Sequence, residues 1–127
     1  LVSFMDQQVG LVLRALEDAG LAPHTRVVYT SDHGDNVGAR GLWGKSTLYE
    51  ESAGVPLIMA GPELAAERVV ATPVSHIDCA PTILAAAGEA PVVGGRTLPG
   101  ASLFAVAGGA MPARPIISTV SAEPSCG

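Results

Sequence analysis

The sequence predicts an α/β fold in which a mostly parallel sheet is flanked by helices. Three observations carry that prediction. Apolar residues at helical spacing open the chain. The run Arg26–Ser31, β-branched and aromatic with consecutive apolar residues, reads as a strand covered on both faces, and Val55–Ala60 reads as a second strand. Helical segments alternate with these runs, and strand–helix alternation is the pattern of a parallel sheet.

Each element has a local reason. Val2, Met5, Val9, Val12, Leu13 and Leu16 follow the three–four spacing of a helix. Ala15, Leu16, Glu17 and Ala19 favour it by propensity, and Gly20 is a natural stop before Leu21 and Pro23. Arg26–Ser31 is then the first strand. Asp32–Ser46 holds four glycines and no apolar periodicity, a loop of about fifteen residues, a length at which loops in compact domains usually carry function. Val55–Ala60 is the second strand, with Pro56 at its edge and Gly61-Pro62 closing it. Val69-Val70 is expected as a short third strand. Asp78 is expected to cap a helix through Ala87, with Pro81 in its first turn and Gly88 as its stop. A short helix over Leu98–Val106 and a last strand over Pro115–Val120 complete the reading.

Composition excludes several classes. The 127 residues fit one compact domain, and 48% apolar against 15% charged residues exclude a disordered chain. A chain of this length buries roughly two-thirds of its unfolded surface. Seven basic and twelve acidic residues leave a net charge of −5, which argues against a nucleic-acid partner. Two cysteines are too few for a disulfide framework. The longest uncharged run, Thr97–Ala113, is broken by Pro99, Pro112 and three glycines, so no membrane span is expected. Leu1–Met5 reads as the interior of a helix, and the sequence opens with no initiator Met and no signal-type features. A portion of a longer polypeptide is therefore expected, with bacterial cytoplasm and periplasm both open as compartments.

The loop after the first strand carries the chemistry. In open α/β sheets ligands bind at the carboxyl ends of strands. Asp32 and His33 are neighbours, so in extended chain they point apart; they converge on one cation only if the backbone turns, which Gly34 permits. A carboxylate and an imidazole are a reasonable ligand pair but not a whole site. Arg40 and Lys45, with Trp43 between them, add cations able to meet an oxyanion. The plainer reading makes Asp32, Gly34 and Asp35 turn residues, His33 solvated and Trp43 a packing residue.

Ser31-Asp32-His33-Gly34-Asp35, then Gly41-Leu42-Trp43-Gly44-Lys45, then Glu50-Glu51-Ser52 and Val55-Pro56-Leu57-Ile58, resemble the sulfatases of the alkaline-phosphatase superfamily. The Asp-His pair most resembles the choline-sulfatase and phosphonate-monoester-hydrolase branch. Val74-Ser75-His76-Ile77-Asp78 followed by Ala80-Pro81-Thr82-Ile83-Leu84 resembles the segment that comes next in that family. The resemblance covers residues 1 to 88.

The resemblance implies a partial alkaline-phosphatase-like sandwich, with 1–127 as the carboxy-terminal portion of the catalytic domain. It implies Asp32 and His33 as metal ligands, Lys45 as a catalytic and substrate-binding cation, and Arg40 as a further substrate contact. The implied metal is divalent: calcium is usual in the family, and the nitrogen ligand His33 leaves manganese, zinc or magnesium open. The implied nucleophile is a formylglycine made in a Cys/Ser-x-Pro-x-Arg motif upstream of Leu1. Cys79-Ala80-Pro81-Thr82-Ile83 has Ile83 where that motif has arginine, so Cys79 is expected to be a buried small residue. His24 is expected to be solvated and His76 to orient its helix, with a separate His76/Asp78 site as the rival reading. The parent is expected to hydrolyse a small-molecule sulfate ester, or else a phosphonate or phosphate ester, while this chain alone is expected to be inactive and poorly soluble. A catalytically dead domain and a metal-free anion-binding module are the other readings of the same residues.

Overall fold

A computed structural model describes residues 1–110. These residues form two compact units: Leu1–Tyr29 with Ile58–Glu67, and Thr30–Leu57 with the chain from Arg68 onward. The predicted strand at 115–120 and Cys126 lie outside the described residues.

The first unit is built on helix α1, Val2–Asp18, as the apolar spacing predicts. It ends as glycine at this position dictates. Gly20 takes φ 69°, Gly20 N–H donates to the Glu17 carbonyl at 2.8 Å, and Leu21 N–H reaches back to Leu16 at 3.0 Å. No residue of α1 is buried. A single 3₁₀ turn, Ala22–His24, leads into strand β1, Val27–Thr30, which pairs with β2, Leu57–Ala60. Both strands alternate half-buried and exposed residues, whereas the consecutive apolar residues of β1 predict cover on both faces. Val28 and Ile58 point outward, where nothing among the described residues covers them. Gly61 after β2 is required by close approach: a Cβ there would lie 2.9 Å from Arg26 Cα. Arg26 pairs with Glu63 at 2.7 Å across the same junction.

The second unit holds α2 (Glu50–Ala53), α3 (Cys79–Ala86), a hairpin of β3 (Val92–Val93) and β4 (Arg96–Thr97), and α4 (Leu103–Ala107). Asp78 stands at the N-cap of α3, as expected, but makes no side-chain bond to that helix. It is instead the reciprocal member of a capping box whose cap is Ser75, at the start of a 3₁₀ turn over His76–Asp78. Its carboxylate accepts from Ser75 N–H at 3.0 Å, and its other oxygen accepts from Ala101 N–H at 2.8 Å. Thr82 continues the chain of bonds: its hydroxyl donates to the Asp78 carbonyl and accepts from Leu103 N–H at 2.8 Å. Leu103 and Val106 are buried apolar residues of α4. Two helices are thus joined through polar groups that are themselves buried, and such groups are costly unless bonded.

Other expectations shift for local reasons. Val69-Val70 forms no strand. The last described helix starts at Leu103 rather than Leu98, because Pro99 and Gly100 intervene and Gly100, at φ 94°, packs against the Ile77 carbonyl with no room for a Cβ. The antiparallel β3–β4 hairpin was legible but unread: Gly94-Gly95, at φ 56° and 76°, sit between Val92-Val93 and Arg96-Thr97 as a two-residue turn. Among the described residues no helix is long and apolar enough to cross a membrane.

Candidate active site

The site is the loop that follows β1, and it lies within the second unit. Its first turn is a knot of short bonds. Ser31 Oγ donates to the His33 carbonyl at 2.9 Å, and His33 N–H donates to Asp32 Oδ1 at 3.0 Å. His76 Nε2 lies 2.6 Å from the Ser31 carbonyl. A carbonyl only accepts, so that ring nitrogen carries the proton. His76 therefore ties down the residue before Asp32 rather than orienting its own helix. Asp78 is committed to its capping box, so the two do not form a separate site.

The knot brings Asp32 and His33 to one side, with His33 Nε2 3.2 Å from Asp32 Oδ2. His33 Nδ1 is 2.8 Å from the Gly34 carbonyl and must be the protonated nitrogen. Nε2 is then left with its lone pair beside the carboxylate. Lys45 Nζ, twelve residues on, sits 2.7 Å from that lone pair. Two donors each about 2.0–2.4 Å from one cation, at roughly a right angle, lie about 3 Å apart. The Asp32–His33 spacing fits such a pair, and a backbone carbonyl that fixes the tautomer is the usual support of a ligating histidine. Among the described residues no third His, Cys, Asp or Glu joins them.

Gly34 does more than permit a turn. Its N–H donates to the Ser52 carbonyl at 2.8 Å, and a Cβ on it would collide with the Glu51 carbonyl. The requirement is the close approach of α2, not a positive φ.

Beyond it the chain doubles back. Asn36 N–H donates to the Gly44 carbonyl at 2.9 Å and Gly38 N–H to Leu42 at 2.8 Å. Asp35 is a turn residue, accepting from Val37 N–H at 2.8 Å. Arg40, at φ 55°, holds a conformation rare outside glycine, asparagine and aspartate. Its guanidinium meets Glu51 at 2.5 Å and lies 4.3 Å from the centre of the Tyr49 ring, contacts that offset the backbone strain. Trp43 is exposed, with one edge over Gly38.

The electrostatics follow the geometry. The His33 backbone N–H, helped by the Asp32 backbone N–H and the Lys45 ammonium, holds the Asp32 carboxyl below the usual aspartate range, partly opposed by desolvation. Glu51 is also held low, first by its own backbone N–H and then by Arg40. The Cys79 thiol is pushed up by burial and by Asp78, which suits a half-buried packing residue rather than a nucleophile. A hollow of about 270 Å³ lined by Thr30, Gly54, Val55, Val74, His76 and Cys79 touches none of Asp32, His33 and Lys45.

Asp32, His33 and Lys45 are thus brought together, while Arg40 is drawn to Glu51 and Tyr49. Asn36, Ser52 and the role of His76 escaped the sequence reading. Their bonds span eight, seven and forty-five residues and leave no periodic trace.

Comparison with known proteins follows the same stretch. The sequence model of the sulfatase family matches residues 1–89. The chain is 35% identical over 124 residues to a choline-sulfatase of Rhizobium meliloti, covering 98% of this chain and 24% of that protein. It is 42% identical over 105 residues to the uncharacterized sulfatase YidJ of Escherichia coli, covering 81% and 20%. Among solved structures, the phosphonate monoester hydrolase SpPMH of Silicibacter pomeroyi superposes with a TM-score of 0.73 at 34% identity, over 84% of this chain and 21% of that one. The chain therefore spans about a fifth to a quarter of the length of these relatives, and it belongs to the sulfatase family.

Proposed function

We propose that this chain is the carboxy-terminal portion of a sulfatase catalytic domain and supplies one side of its active centre. The observation that carries the reading is the convergence of Lys45 Nζ on His33 Nε2 beside the Asp32 carboxylate, inside the stretch the family shares. Asp32 and His33 are the residues that would hold a divalent metal, through the carboxylate and Nε2. Calcium is the first assignment, and the nitrogen donor keeps manganese, zinc and magnesium open. When bound, such an ion polarises the ester and its attacking oxygen.

The chain's own groups do the rest of this half. The Gly34 carbonyl keeps His33 in the tautomer that presents Nε2. Lys45 places a mobile positive charge where the nonbridging and leaving oxygens of the ester gather charge, which stabilises the transition state more than the ground state. A single lone pair on Nε2 cannot serve both a metal and an ammonium, so with a metal held there Lys45 would be free for the substrate. Arg40, engaged by Glu51 and Tyr49, steadies the loop and contributes less to the anion. The substrate is a small-molecule sulfate ester. A phosphonate or phosphate ester is the second reading, favoured by the likeness to a phosphonate monoester hydrolase. The nucleophile is a formylglycine in the preceding part of the polypeptide, and the 127-residue chain alone does not turn over.

The test is peptide mapping by mass spectrometry of the complete protein that carries this segment. A cysteine or serine converted to formylglycine upstream of Leu1 supports the reading. A complete protein that neither encodes nor carries such a residue overturns it.

A further inference from the structure

We infer that Asn36 and Ser52 are positioning residues for Lys45, gripping the peptide groups on either side of it so that its side chain starts out toward the Asp32–His33 side of the loop. The inference rests on the reading of Lys45 as the substrate cation.

Four polar residues are buried among those described: Asn36, Ser52, Asp78 and Thr82. Asp78 and Thr82 join α3 to α4. The other two converge on Lys45. Asn36, 2% exposed, donates to the Gly44 carbonyl twice, from its amide side chain at 2.5 Å and from its backbone N–H at 2.9 Å. That carbonyl belongs to the peptide entering Lys45. Ser52, 3% exposed, donates from Oγ to the carbonyl of Lys45 itself, the peptide leaving it. Thr47 Oγ1 donates to Asn36 Oδ1 at 3.1 Å and fixes which way the amide points.

A lysine side chain has four rotatable bonds and a strongly hydrated charge, so left to itself it samples solvent. Lys45 is largely exposed, yet its Nζ is found 2.7 Å from His33 Nε2. The side chain alone does not explain that. Clamping both flanking carbonyls fixes the direction of the Cα–Cβ bond and removes the backbone share of the disorder. The same α2 segment carries the Ser52 carbonyl that accepts from Gly34 N–H, so one short helix sets His33 and Lys45 relative to each other. Misplacement of a catalytic group by about an ångström costs on the order of a hundredfold in rate.

Lys45 is the only lysine in the chain, so one peptide reports on it. Limited acetylation of the complete protein with acetic anhydride, read by peptide mass spectrometry, gives the ratio of Lys45 modification in the folded protein to that in the urea-unfolded protein. Ser52→Ala is expected to raise the ratio about fivefold at an unfolding midpoint still above the assay temperature, and Ser52→Thr, which keeps the hydroxyl, to restore it. Thr47→Val, which only loosens the Asn36 amide, is expected to raise it about twofold and decides the matter if Ser52→Ala does not fold. Unchanged ratios in the folded variants overturn the inference. In the complete protein, Ser52→Ala is expected to lower kcat about tenfold with KM little changed. If the ratio rises and kcat holds, the positioning stands and the catalytic reading of Lys45 falls.

Discussion

Helix α1 and the loop from Ser31 to Lys45 are opposites. The helix is long, regular and closed by a well-formed glycine stop, yet it buries none of its residues. The loop has almost no regular structure, yet with α2 and the start of α3 it holds three of the four buried polar groups, Asn36, Ser52 and Asp78. Regularity reports what a segment does on its own. Buried, fully bonded polar groups report what it does to its neighbours, because each must find a partner at a fixed distance or cost the fold about 1–3 kcal/mol. In this chain positional information lies in the irregular part.

That contrast can be broken by substitution, and the largest effect is expected at Asp78. Asp78→Ala removes the acceptor of Ser75 and Ala101 N–H together and is expected to cost about 3 kcal/mol or more, read from urea unfolding of the second unit. Gly34→Ala comes next. Its Cβ would meet the Glu51 carbonyl, backbone that cannot swing aside, so a loss of about 1–3 kcal/mol is expected together with displacement of α2. At the other pole, Val12→Thr on the exposed side of α1 is expected to change stability by less than about 0.5 kcal/mol. A cost at Val12 comparable to that at Gly34 would erase the distinction between the two regions.

The smallest expected effect is one of pH. The Glu51 carboxyl lies below the ordinary glutamate range in the folded chain. Between its folded and unfolded values the unfolded chain binds more protons, so this contribution is complete above the unfolded value and is lost as pH falls through the folded one. Both partners of the Arg40–Glu51 pair are partly exposed, so the effect on stability is slight. The titration itself is the sharper readout. Arg40→Ala is expected to move Glu51 only part of the way back by carboxyl-resolved NMR, because the Glu51 backbone N–H is the larger cause.

What the sequence made legible was local. The spacing in α1, the glycine stop, both main strands and the glycine-rich loop after β1 each follow from residues within a few positions of one another, and the structure places them there. The Gly94-Gly95 turn belongs to the same class and was simply passed over. Asp32 and His33 could be paired only on condition that the backbone turned, and the turn depends on Ser31, His76 and a carbonyl of α2 that no spacing rule connects to them. Asp78 stands at the N-cap of α3, as its position predicts, but its carboxylate serves the preceding 3₁₀ turn, where Ser75-x-x-Asp78 puts the serine at N-cap and the carboxylate three residues in. Arg40 and Lys45 look alike as loop cations. Only the fold shows that one is drawn to Glu51 and Tyr49 and the other to His33.

The most direct test of the account separates those two cations. In the complete protein, kcat/KM for a small sulfate ester is measured for Lys45→Ala and Arg40→Ala, with folding of each verified by its unfolding transition. Loss of a positioned transition-state cation is expected to lower kcat/KM on the order of 10²–10³-fold for Lys45→Ala, and loss of a loop-steadying contact less than tenfold for Arg40→Ala. Equal losses, or a larger loss at Arg40, would contradict the assignment of the oxyanion to Lys45 and with it the account of how this loop works.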